Sequence, residues 1–286
     1  MSGEHLALDD AHALEVVAEY RVRVQQRRAL RGAARVNLEG PDFKLNRPQR
    51  IAIESPNRLR FEVIGLFDVL AAMLVSDGRE FGFFDATTGD VRHGPMTAEL
   101  LWRLAQLDFE AEEVVSILLA APMPSSSVTL VGIWREPDSG LTFGYARLQP
   151  EHSFEEGVRT AENAAAGHVG DRASQDAVDA LGRGAEFFRF DSTGHLREMR
   201  VVDPGWVTRF RVSFEDYREV AADFASAESP GDAPGNAMSK QLFPMRISVH
   251  SPQVGAWARF EWKRVMLTDA LPDRLFRLPE SIASGG

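Results

Sequence analysis

The chain has 286 residues, long enough to bury a substantial core in one enlarged domain. Its net charge of -10 and pI near 5.3 argue against nucleic acid and anionic membrane surfaces as partners, because both need clustered Lys and Arg. It has no Cys, which removes disulfides, thiolate nucleophiles and Cys-ligated metals, and no apolar run approaches the roughly 18 residues that span a bilayer.

Residues Asp9 to Ala29, rich in Ala, Glu, Arg and Val without Gly or Pro, predict a first helix. Its apolar side is thin, with Leu14, Val17, Ala18 and Val22 on one face, so it rests on something larger. From Leu30 the period changes to two: Ala34, Val36 and Leu38 alternate with polar neighbours, Gln49 to Glu54 predicts a second strand, and Leu59, Phe61 and Val63 alternate with Arg58, Arg60 and Glu62. One greasy and one charged face per strand is the pattern of a half-exposed antiparallel sheet. Gly65 to Val75 has two readings, a loop exposing Leu66, Phe67, Val69 and Leu70 ahead of a strand, or one continuous buried strand. Asp68 in its middle favours a turn. Asp77-Gly78 and Thr88-Gly89-Asp90 are hairpin and turn signals.

Thr97 to Ala120 returns to helical spacing, with Leu100, Leu101, Leu104 and Leu107 in one stripe and Val114, Val115, Leu118 and Leu119 in another. Thr97 caps the first helix, and Pro122 and Pro124 stop the second. Strands resume at Val128 to Trp134, Leu141 to Leu148, Glu186 to Asp191, His195 to Val202, Trp206 to Phe214, Phe243 to His250 and Ala256 to Met266. The stretches 151–184 and 221–240, rich in Ala, Gly, Asp, Glu and Ser, read as flexible insertions in a single domain covering 1–286.

Signals for catalysis are weak. The seven His residues have no ligand spacing, and no G-x-S-x-G, G-x-G-x-x-G after a strand, or P-loop occurs. Neighbouring acids such as Glu112-Glu113 point in different directions on a helix and form a solvated face. The expectation is a protein that is not an enzyme and uses neither metal nor cofactor. An enzyme with dispersed residues would instead require a polar cleft of convergent titratable groups.

The aromatics carry more. Phe61, Phe81, Phe83, Phe210, Phe214, Phe260 and Trp262 stand in predicted strands, joined by Leu59, Val63, Trp206 and Val212, while Leu101, Trp102 and Leu104 stand on the helices that would cover them. Together they describe either a packed sheet face or the lining of an apolar container under a helical lid.

The order of these parts resembles the LolA/LolB superfamily of bacterial lipoprotein carriers and outer-membrane lipoprotein receptors. The resemblance runs through the leading helix, LRGAARVNLE, NRLRFEVIG with its loop, LVSDGREFGFFDATTGDVRHG, the helical pair ending VVSILLAAP, and the closing FPMRISVHSP and ARFEWKRVMLTDALPDRLFRLP. It implies an incomplete, half-open antiparallel β-barrel, here of about eleven strands, with a leading helix and a helical lid. It also implies non-catalytic binding of lipoprotein acyl chains or other lipid, for transport to or insertion into the outer membrane. The implied lipid-binding residues are those of the container just named. Leu66, Phe67, Val69 and Leu70 stand where the LolB branch carries a protruding membrane loop. Partners would be lipoprotein acyl chains or other lipid, the outer membrane and a periplasmic lipoprotein carrier. The place would be the periplasm or the periplasmic face of the outer membrane, with a leader and any lipidated Cys missing from this sequence. The alternative is an envelope structural or sensing module that binds a partner with its core filled. A sixteen-carbon chain left in water costs about 12 kcal/mol, which is the reason such cargo needs shelter.

Overall fold

The computed structural model of the protein describes residues 3–105, 109–146, 184–224 and 239–283. Among them are fourteen strands: β1 (Glu4–Leu6), β2 (Ala29–Gly40), β3 (Phe43–Glu54), β4 (Arg58–Ile64), β5 (Leu70–Ser76), β6 (Glu80–Asp85), β7 (Val91–Pro95), β8 (Thr129–Arg135), β9 (Leu141–Ala146), β10 (Ala185–Phe190), β11 (Leu196–Asp203), β12 (Val207–Asp223), β13 (Ser239–Ser251) and β14 (Ala256–Thr268). The helices are α1 (Ala11–Gln25), α2 (Ala98–Ala105), α3 (Ala111–Leu118) and the short α4 (Glu280–Ala283), with 3-10 turns at Leu66–Asp68 and Asp273–Phe276. The protein is mainly β, antiparallel apart from a short parallel contact of the end of β12 with β14, and its sheet does not close into a barrel. The strand count exceeds expectation partly through β1, too short to show a period. The insertion predicted at 151–184 lies outside the described residues except for Gly184, and so does 225–238 of the second. The described ends of that second stretch, 221–223 and 239–240, are in β12 and β13.

The chain divides into two compact units, residues 1–20 with 123–211, and residues 21–122 with 212–286. The smaller unit pairs β1-β8-β9-β10-β11 in that order. Its α1 residues bury Ala13, Val16 and Tyr20, with the Tyr20 ring edge-on to Phe190 at 5.0 Å. The buried stripe of α1 is therefore displaced by one residue from the expected face, and Leu14 and Val22 are exposed. Tyr20 decides this, because its ring buries more area than any Val on the other side. Trp134 lies across Gly132 and Gly144, which face each other on β8 and β9, and a Cβ on either would come within 2.8 Å of its indole.

The larger unit pairs β13-β14-β2-β3-β4-β5-β6-β7 in that order after β12. The register puts Leu30, Ile53 and Leu59 in one row, Gly32, Ile51 and Phe61 in the next, and Ala34, Gln49 and Val63 in a third, all on one face. Arg31, Ala52 and Arg60, then Ala33, Arg50 and Glu62, form the rows of the opposite face. On β14, a bulge between Trp262 and Arg264 leaves Lys263 as the extra residue. Ala258, Phe260 and Trp262 share the inner face before it, and Val265 and Leu267 share that face after it, because one added residue reverses the alternation.

The ending Leu271 to Phe276 closes the outer face of this unit. Leu271 and Phe276 are buried with Ala29 and Ala52, the Leu271 N–H donates to the Glu54 carboxylate at 2.6 Å, and the Arg58 guanidinium sits 4.2 Å over the Phe276 ring while pairing with Asp273 and Glu54.

Candidate functional site

The inner face of the larger unit is not completely filled. A cavity of about 330 Å³ lies between the sheet and the two helices α2 and α3. Val36 and Leu38 of β2, Phe43, Leu45 and Gln49 of β3, Phe61 and Val63 of β4, Ala72, Met73 and Leu74 of β5, Phe83 of β6 and Phe260 of β14 form its walls, and Leu101, Phe109 and Val114 cover it. Among the described residues every lining side chain is apolar except Gln49. No charged group lines it among the described residues, whose side chains offer dispersion contact to hydrocarbon and a single amide to anything polar. If a methylene takes about the space of one water, roughly 30 Å³, the cavity accepts about ten carbons of a chain.

The helices are positioned by local signals. Thr97 caps α2, its hydroxyl accepting from the Leu100 N–H at 3.3 Å. α3 begins with a capping box between Glu110 and Glu113 and packs on β3 and β4, burying Val115, Ile117 and Leu118.

Of the residues that the sequence put forward as lipid-binding, Phe61, Val63, Phe83, Leu101 and Phe260 line the cavity. Leu59 continues the same alternation but is fully buried in packed core, as are Val212 and Phe214. Trp262 is buried edge-on against Phe243 at 6.2 Å, and Phe81 is half-buried with its ring against Gly94. Trp102 is partly exposed, and the side chain of Leu104 lies outside the described residues. Trp206 and Phe210 belong to the smaller unit, where Phe210 is buried and Trp206 stacks on Phe187 at 6.3 Å. Trp206 is a turn residue at φ 66°, not the first residue of β12, so it does not share a strand face with Phe210. The wall residues that the sequence reading left out of the container are Val36, Leu38, Phe43, Leu45, Gln49, Ala72, Met73, Leu74, Phe109 and Val114. Of these, Phe43 and Leu45 lie in the half of β3 before Pro48, a residue uncommon inside a strand, and the predicted strand began only at Gln49.

The stretch after β4 takes the first of its two readings, a loop and then a strand. Leu66, Phe67 and Val69 are 75%, 97% and 61% exposed, whereas Leu70 is already the half-buried first residue of β5. Phe67 and Asp68 both hold positive φ, at 58° and 61°. This sparsely populated conformation is braced by a Gly65 N–H bond to the Val69 carbonyl at 2.8 Å and by the Arg50–Asp68 ion pair at 2.8 Å. The brace presents an apolar tip to solvent. A second groove, of about 450 Å³, lies on the outer face among Arg31, Arg50, Arg60, Glu62, Arg264 and Leu275. It is charged where the inner cavity is apolar, and Arg60 is held there by Glu62 at 2.6 Å and by the Leu275 carbonyl at 2.9 Å.

No family model matches the chain, and no curated protein does. Among solved structures it is similar to a putative outer membrane lipoprotein-sorting protein domain from Vibrio parahaemolyticus, at 8% identity and a TM-score of 0.52, covering 92% of this chain and 95% of that one. The chain shares its fold with that domain. A DUF1329 family protein from Desulfovibrio piger is similar to the same extent, at 10% identity and a TM-score of 0.51, covering 92% of this chain and 97% of that one. A LolA superfamily protein from Nitrosomonas europaea aligns at 9% identity with a TM-score of 0.46, covering 93% of this chain and 97% of that one. At such identities the likeness is one of fold, and no residue role carries over with it.

Within this fold the end of the cover is tied down by a residue that sequence reasoning did not single out. Arg27, just after α1, is 7% exposed. Its guanidinium donates to the Ala120 carbonyl at 2.5 Å and to the Leu242 carbonyl at 2.8 Å, and lies 5.8 Å over the Phe243 ring. Ala120 is the positive-φ residue at the end of α3, so Arg27 fixes the exit of the covering helix to β13. Arg27→Met keeps the aliphatic stem but leaves both carbonyls without their charged donor, and is expected to cost about 3 kcal/mol of stability. Denaturant unfolding checks this; an unchanged midpoint would mean that the tie contributes nothing.

Proposed function

We propose that the protein shelters an acyl chain of a lipoprotein, or of another lipid, in the cavity of its larger unit and passes it toward the outer membrane without covalent chemistry. The observation that carries this reading is the cavity itself, about 330 Å³ walled by apolar side chains, with Gln49 the sole polar one among the described residues. About ten buried carbons, at roughly 0.8 kcal/mol each, contribute on the order of 8 kcal/mol relative to water, enough for a retained ligand after the costs of association. A longer chain, or a second one, exceeds the space and requires α2 and α3 to move outward. Release then follows from closure of that cover, which shrinks the site as a more apolar acceptor becomes available.

The loop of Leu66, Phe67 and Val69 fits the delivery step, since three exposed apolar side chains on a braced turn partition into a bilayer interface. The place of action on this reading is the periplasm or the periplasmic face of the outer membrane, and a lipoprotein carrier or receptor is the natural counterpart. The test is co-migration. A lipopeptide radiolabelled in its acyl chains, mixed with the protein and separated by gel filtration, is expected to elute with the protein. Label that elutes wholly as lipopeptide micelles would contradict the reading.

A further inference from the structure

Among the described residues Gln49 is the one polar side chain in the cavity wall, and none of them gives it a hydrogen-bond partner. It stands in β3 between Ala34 of β2 and Val63 of β4, neither of which has a polar side-chain atom. It is 5% exposed, and its amide makes no hydrogen bond among the described residues. A primary amide brings two N–H donors and a carbonyl acceptor, and leaving these unpaired in apolar surroundings is unfavourable. Leu would fill the same place without that penalty, as its neighbours do.

We propose that Gln49 is a specificity-determining residue whose amide hydrogen-bonds the carbonyl of an acyl chain joined through a neutral ester or amide linkage. This rests on the reading of the cavity as an acyl-chain site and adds the class of chain it selects. The side-chain N–H donates to the acyl carbonyl oxygen, and for an amide-linked chain the ligand N–H also donates to the Gln49 carbonyl. A pure hydrocarbon leaves Gln49 unpaired. A free fatty acid brings a carboxylate into a wall that contains no Arg, Lys or His among the described residues, which disfavours it further. The selected ligand therefore has a neutral head on a hydrocarbon tail, chemistry shared by glycerol esters and by N-acylated amino termini.

The experiment measures displacement of the fluorescent dye aminoanthracene by methyl decanoate, N-methyldecanamide, decanoate and undecane, from the wild-type protein and from Gln49→Leu. The quantity compared is the preference for ester or amide over undecane in one protein, divided by that preference in the other, which cancels the ligands' own hydrophobicity. One hydrogen bond predicts a ratio of roughly tenfold, and Gln49→Leu is expected to melt a few degrees higher. Gln49→Met, longer and more adaptable, should behave as Gln49→Leu does, which separates the lost amide from altered packing. A larger ratio for the amide than for the ester supports the second bond, from the ligand N–H to the Gln49 carbonyl; equal ratios overturn that second bond and leave the one to the acyl carbonyl. A ratio near one, with undecane bound by both proteins, overturns the role of Gln49 and leaves the container standing. Failure of all four ligands to displace dye from the wild type overturns the container and Gln49 with it.

Discussion

Replacing Phe61 by Glu is expected to lower affinity for a ten-carbon ester at least a hundredfold while the protein remains folded. Phe61 is central in β4, paired with Ile51 of β3 and Leu74 of β5, and its ring is a wall of the cavity. A carboxylate there has no cation among the lining residues, so it either stays ionised and draws water into the site or takes up a proton at a cost. A hundredfold loss corresponds to about 2.7 kcal/mol, less than the price of drying an ionised carboxylate for a bound chain. The empty protein tolerates the change better, because Phe61 is half-buried and its head can hydrate within the cavity. The contrast is Phe210→Glu in the smaller unit, where the side chain is 1% exposed; that variant is expected to unfold. Dye displacement and thermal melting measure both. Unchanged affinity in Phe61→Glu would place chain binding elsewhere.

Changing Leu66 and Phe67 together to Glu is expected to leave chain binding intact and to reduce association with vesicles a hundredfold or more. The two side chains are 75% and 97% exposed and are not among the residues that line the cavity, so their removal costs the fold little. Burying each in a bilayer interface contributes about 1.5–3 kcal/mol, and the pair therefore accounts for two orders of magnitude or more. The braces, Gly65 to Val69 and Arg50 to Asp68, are not altered by the change. Flotation with phosphatidylcholine vesicles and transfer of a fluorescent lipopeptide into them report the effect. Equal transfer by the variant would remove the loop from the delivery step.

Some of this site was legible in the residues and some was not, and the division has physical causes. The alternation of Leu59, Phe61 and Val63 against Arg58, Arg60 and Glu62 correctly assigned β4 and its inner face, because a half-exposed strand must write its environment in period two. Thr97 and the two leucine- and valine-rich stripes located the cover for the same kind of reason. Whether a given inner residue meets packed atoms or open space was not written locally. Leu59 and Phe61 follow the same rule on the same strand, yet only Phe61 reaches the cavity, since that depends on where α2 and α3 lie above the sheet. Parity was lost at Lys263, where the bulge turns Arg264 to the outer face in a run that reads as unbroken alternation. The predicted second strand began at Gln49 and missed the first half of β3 with Phe43 and Leu45, where Pro48 is a residue uncommon in strands although the ladder accommodates it opposite Arg35. Arg27 gave no signal, because a lone Arg beyond a helix reads as solvated until its acceptors, from residues 93 and 215 positions away, are brought to it.

The central claim is that the apolar cavity binds acyl chains. Calorimetric titration with a triacylated lipopeptide below its aggregation threshold, with the deacylated peptide as control, tests it most directly. The account predicts saturable binding of the acylated peptide, with a negative heat-capacity change from buried apolar surface, and no heat from the control. Equal heats for both peptides, or none for either, would contradict it.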